Sequence, residues 1–162
     1  MKEHKSLQEH LLELLNGGQA HLDFDRVVND WPVRLQGKRP KGAAHSPWEV
    51  IEHMRIAQWD ILEFTRNPKH VSPEFPAGYW PGTQAPPNKE AWEESVAAFR
   101  ADLKAMSEIV KDDSTDFFAP LPHGEGQTVL REVLLTADHN AYHQGELLLL
   151  RRLLGAWPAT KA

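Results

Sequence analysis

The chain has 162 residues with a formal net charge of −5, 25% charged and 41% hydrophobic residues, and no cysteine. That describes a single globular domain, residues 1–162, long enough to enclose a core; it offers no basic face for nucleic acid and excludes disulfides, thiolate metal sites and cysteine nucleophiles. The amino terminus, MKEHKSLQEHLLELL, has no apolar signal core, and the longest aliphatic run, Leu147–Leu150, is far too short to span a membrane, so a cytoplasmic protein without membrane or nucleic-acid partners is expected.

The pattern reads as helices throughout. SLQEHLLELL carries apolar residues at 7, 11, 14 and 15 and meets the breaker pair Gly17–Gly18. A second helical stretch, about 20–30, has Leu22, Val27, Val28 and Trp31 before Pro32, and with the first it reads as one broken helix or two. RLQGKRPKG at 34–42 is read as a solvated connection. The stretch 45–64 begins with a strong start signal: Ser46 as N-cap, Pro47 at the first helical position and Glu49 completing a capping box. Its apolar positions 50, 51, 54, 57, 61 and 64 keep helical spacing until Asn67–Pro68. Residues 88–110 form another amphipathic helix, with Asn88 as cap and apolar 92, 96, 99, 103, 106 and 110. The last helix covers about 127–154 and stops at Gly155. No strand alternation, repeat or domain linker is evident, so the expected class is all-α, a helix bundle.

The connection at 67–87 contains six prolines and three aromatics. Structureless loops of this length are uncommon and tend to be functional covers or disordered segments, and Phe75, Tyr79 and Trp80 argue for a packed loop. A 20-residue helix is about 30 Å long, and this loop can return that distance, so the helices on either side can run parallel. Its aromatics either wall a site at the start of the 45–64 helix or pack an outer groove.

Of nine histidines, His4 and His10 suit surface positions, while His45, His70 and His123 sit in turns and need no special explanation. His21 precedes a helix, where it can cap or pack. His139 and His143 differ. They stand at i and i+4 on one helical face, flanked by Leu134, Leu135, Ala141 and Leu147–Leu150. Two imidazoles at that spacing can converge on one ion with metal–nitrogen distances near about 2.1 Å. His53, two turns into the 45–64 helix and also among apolar residues, supplies a third. Burying three imidazoles without partners is costly, which favours a shared metal site over three incidental core histidines.

Two known metal patterns are excluded. The metalloprotease motif needs Glu after the first histidine, and position 140 is Asn. The di-iron bundle motif needs Glu three residues before each of two histidines, and those positions are Val50, Thr136 and Asn140. One divalent metal on three neutral imidazoles leaves open positions, the mark of a catalytic rather than a structural site. Glu49, one turn before His53, and Glu146, one turn after His143, are weak candidates for a general base; each has a competing structural reading as a cap or a supporting carboxylate.

From HSPWEVIEHMRIAQWDIL through ADHNAYHQGELLLLRRLLG, the chain resembles the DinB-like (YfiT-like) superfamily of small metal-dependent four-helix-bundle proteins. The resemblance rests on a histidine in the second bundle helix and an H-x-x-x-H pair in the last, here His53, His139 and His143 as metal ligands. It implies an up-down-down-up bundle with a long crossover after the second bundle helix, a nickel or zinc ion, and a homodimer. LLLLRRLL also offers more apolar surface than one helix stripe needs.

The resemblance implies hydrolase or thiol S-transferase chemistry on a small molecule; with no cysteine in the chain, a low-molecular-weight thiol would have to come from a cosubstrate. A non-catalytic protein that uses the metal to hold a ligand, as in a stress response, is the alternative, and a purely structural bundle is a third reading. Imidazole-only sites accept several divalent ions, so the residues do not name the metal.

Overall fold

Helix α1 (Lys2–Asn16) stops where Gly17 and Gly18 take φ of 66° and 83°, a conformation that glycine adopts without a Cβ clash. The structure, a computed structural model, describes residues 2–157. The helical stretch expected over 20–30 is shorter than its apolar pattern suggests. Only α2 (Phe24–Val28) is helical, capped by Asp23, which accepts the Arg26 N–H at 2.8 Å. Beyond it Asp30 holds φ 55° and Pro32 begins a 3-10 turn (Val33–Leu35). Phe24, Val27, Val28 and Trp31 are still buried, so their spacing serves a compact turn rather than a long helix.

Helix α3 (Pro47–Arg66) begins as its sequence predicts. The Glu49 N–H donates to Ser46 Oγ at 3.2 Å, the Ser46 N–H donates back to Glu49 Oε2 at 2.8 Å, and Pro47 opens the first turn. Helix α4 (Ala91–Lys111) starts three residues later than expected, yet Asn88 still serves it. Asn88 Oδ1 accepts the N–H groups of Glu90 and Ala91 at 3.0 and 2.8 Å. Helix α5 (Val129–Leu153) is capped by Thr128, and Gly155 at φ 69° follows its end. Among the described residues there is no strand, only an isolated bridge between Pro120 and Thr128, and no helix long and apolar enough to cross a membrane.

Helices α1 and α3 each pack against both α4 and α5, and α2 packs on α5. Two apolar clusters result. One joins Trp48, Ile51 and Met54 of α3 to Trp92, Val96 and Phe99 of α4, Leu147 and Leu150 of α5, and the α2 residues. The other joins Leu62 of α3, Met106 and Val110 of α4, Val133 and Ala137 of α5, and Leu11 and Leu15 of α1. Buried polar side chains also tie three helices together. Gln58, fully buried, donates through Nε2 to the Phe99 carbonyl at 2.6 Å and accepts at Oε1 from Asn140 Nδ2 at 2.8 Å. These bonds fix the register of α3 against α5, and hence of His53 against His139, the neighbour of Asn140.

The apolar excess of the last helix divides in two. Leu147 and Leu150 are buried, whereas Leu149 and Leu153 are more than half exposed, as is Tyr142 on the same face. Arg151 is buried: its guanidinium donates to the Val27 and Asp30 carbonyls at 2.7 and 3.3 Å and lies over the Trp31 ring at 5.3 Å. It closes the carboxyl-terminal end of α2 with a cation, where the helix carbonyls favour one. Burial pushes its pKa down, against the pull of Asp30.

Candidate metal centre

The capped start of α3 places His53, and the i, i+4 spacing on α5 places His139 and His143, so that one ring nitrogen of each lies within 4.8 Å of the other two. His53 Nε2 and His139 Nε2 are 3.1 Å apart. Two nitrogens bound to one ion at about 2.1 Å sit roughly 3.0–3.4 Å apart for angles between square and tetrahedral, so this spacing suits shared coordination.

The partners of the other ring nitrogens decide which atoms face inward. His53 Nδ1 lies 2.8 Å from the Tyr79 carbonyl oxygen, which can only accept, so Nδ1 carries the proton and Nε2 keeps its lone pair. His143 Nδ1 lies 2.9 Å from Glu146 Oε2, which fixes the same tautomer. Both are the usual arrangement behind a metal-bound histidine. His139 Nδ1 is buried with no partner among the described residues. With a proton on its Nε2, His139 donates to His53 but leaves Nδ1 an unsatisfied acceptor. With the proton on Nδ1, two lone pairs oppose each other at 3.1 Å. A shared cation removes that repulsion, and the donor set therefore fits a divalent metal.

Electrostatics keep two of the imidazoles, those of His139 and His53, neutral. Burial, then the neighbouring His143 and His53, lower the His139 pKa from 6.5 to about 3. Burial also lowers that of His53, more than its bond to Tyr79 raises it. Neutral imidazole is the metal-binding form.

The two carboxylate candidates have different places. Glu146 bridges His143 and His45, the latter at 3.4 Å, and these bonds hold its pKa below the usual range against the effect of burial. It supports the site. Glu49 faces away. It closes the capping box and takes a forked bond from Arg39, with Nε at 2.9 Å and NH2 on the other oxygen. Burial alone would raise its pKa, but Arg39 and Ser46 together hold it down. Arg39 itself, expected in a solvated connection, thus anchors that connection to α3.

Of the crossover aromatics, Trp80 reaches the centre. Its ring stacks on His53 at 4.0 Å and 3° and on His45 at 4.0 Å and 21°, and it meets His143 edge-on at 6.4 Å. Tyr79 contributes its carbonyl to His53, whereas Phe75 is 84% exposed and only packs edge-on against Tyr79. His45 and His70, which read as ordinary turn residues, both have defined partners: His45 touches Trp80 and Glu146, and His70 Nε2 bonds Asp60 at 2.7 Å. For His45 the only signal was its place beside the N-cap of the helix carrying His53. For His70 there was none.

The sequence model of the DinB superfamily matches residues 18–147, most of the chain and all three histidines. No curated protein matches, nor does any solved structure.

Proposed function

We propose that this chain, which belongs to the DinB superfamily, binds one divalent ion, nickel or zinc, through Nε2 of His53, His139 and His143 and acts on a small molecule as a hydrolase or thiol S-transferase. The observation that carries the reading is the convergence of the three imidazoles, two of them with Nε2 left bare by fixed Nδ1–H bonds. A bound divalent ion would polarise a carbonyl or lower the pKa of a water or thiol.

The chain's own residues do the rest. Tyr79 and Glu146 orient His53 and His143, and Trp80 covers one side of the centre and limits water there. Glu146 and His45 form a polar path outward from His143 along which a proton can pass. With no cysteine in the chain, any thiol comes from a second molecule. A reading without turnover, in which the metal only holds a ligand, draws support from Glu49, whose carboxylate is taken up by the cap and Arg39.

The same reading takes the fold as an up-down-down-up four-helix bundle. In support, Trp48 and Ile51 near the start of α3 meet Trp92 near the start of α4, but Leu147 and Leu150 near the end of α5. It also takes the protein as a cytoplasmic homodimer, paired through the exposed stripe of Tyr142, Leu149 and Leu153. Elemental analysis of the purified protein, followed by conjugation assays with low-molecular-weight thiols and electrophiles, tests the activity. Metal-loaded protein that conjugates or hydrolyses nothing but binds a ligand favours the reading without turnover.

A further inference from the structure

Asp60 is 8% exposed and lies on α3 seven residues beyond His53, about 10 Å along the same helical face. Both of its oxygens are taken by the crossover. Tyr79 donates its hydroxyl to Oδ2 at 2.5 Å, and His70 Nε2 lies 2.7 Å from Oδ1. The His70 ring is enclosed, packing edge-on against Trp59 at 5.1 Å. Tyr79 thus touches α3 at two points two turns apart: its hydroxyl at Asp60 and its carbonyl at His53. Trp80, the next residue, lies flat on the His53 ring. Burial and the Asp60 bond push the Tyr79 pKa up to about 12, so its hydroxyl stays a donor at any working pH.

We propose that Asp60 is a positioning residue of the metal centre: by holding Tyr79 and His70 it fixes the crossover so that the Tyr79 carbonyl keeps the proton of His53 on Nδ1 and presents Nε2 to the metal. The inference rests on the three-histidine reading above and deepens it. It makes a distinct claim, because a carboxylate that merely kept a proline-rich loop ordered would change stability and leave the tautomer of His53 alone. Among the described residues, the bond that His53 Nδ1–H donates to the Tyr79 carbonyl is the one polar contact orienting the ring from behind. Losing such an outer partner typically weakens metal binding by about 10- to 100-fold.

The test uses zinc, titrated against a competing chelator, on the full chain and on Asp60→Ala, Tyr79→Phe and the double variant. Both single variants should lose about tenfold in zinc affinity, and the double variant should lose no more than either, since both changes release the same strut. In parallel, imidazole nitrogen shifts of metal-free protein should give one Nδ1–H tautomer for His53 in the parent and a mixture in the variants. Zinc affinity within about twofold of the parent in both single variants, with an unchanged tautomer, would overturn the proposal. Tyr79→Phe keeps the side-chain volume and answers alone if Asp60→Ala does not fold. If the parent chain takes up no zinc, the three-histidine reading fails, and the tautomer measurement still decides whether Asp60 orients His53.

Discussion

His139 is the residue at which burial and proton chemistry oppose each other most. Its pKa falls from 6.5 to about 3, so below pH 6.5 the unfolded chain takes up a proton that the folded chain refuses. The resulting stability is full above that pH and is lost as pH falls toward 3, and His53 adds to the trend in the same direction. The urea midpoint of metal-free protein should therefore drop between about pH 7 and about pH 4.5, more steeply than in His139→Leu. An equal slope in the two proteins would contradict the burial argument. Glu49 makes the opposite case. Glu49→Ala should cost about 1 kcal/mol through the lost cap and leave metal content unchanged; loss of the metal would return Glu49 to the site. The three histidines were legible because i, i+4 spacing and apolar flanks are local properties of the chain. The roles of His45, His70 and Asp60 were not, because each is defined by a partner that only tertiary folding brings near.

Among the elements, α3 was legible almost to the residue, since Ser46, Pro47 and Glu49 encode its start locally. The stretch 20–30 was overread. Its apolar spacing fits a helix, but the segment is held by Arg151, over a hundred residues away, which bonds the Val27 and Asp30 carbonyls. Periodicity cannot report such a contact. Arg151→Met keeps much of the stem and removes the donors, leaving buried carbonyls unpaired at a cost of about 2–3 kcal/mol. Urea denaturation should show that loss, together with faster amide exchange at α2. A change below about 0.5 kcal/mol would mean that water replaces the guanidinium without cost. The crossover was read as packed by its three aromatics, but Phe75 is exposed, and which aromatic meets the site was open. It is Trp80, and Trp80→Ala should keep one ion per chain while a chelator strips it faster.

At the scale of the molecule, the all-helical class followed from patterning, and membership of the DinB superfamily follows from the matched sequence. How the helices run relative to one another depends on the two ends of the core, which local spacing does not encode. The proposed dimer is a property of surface rather than fold: Leu149 and Leu153 are exposed on a face that also carries Tyr142. Sedimentation at micromolar concentration should give a dimer, and Leu149→Asp with Leu153→Lys should give a monomer with its metal retained; a monomeric parent chain would refute the pairing. The central claim is that His53, His139 and His143 act as one ligand set. Elemental analysis of the purified parent and of the three single His→Ala variants, each checked for retained helix content, tests it most directly. One ion per chain in the parent and almost none in each variant is the predicted result, and full metal content in all three variants would contradict it.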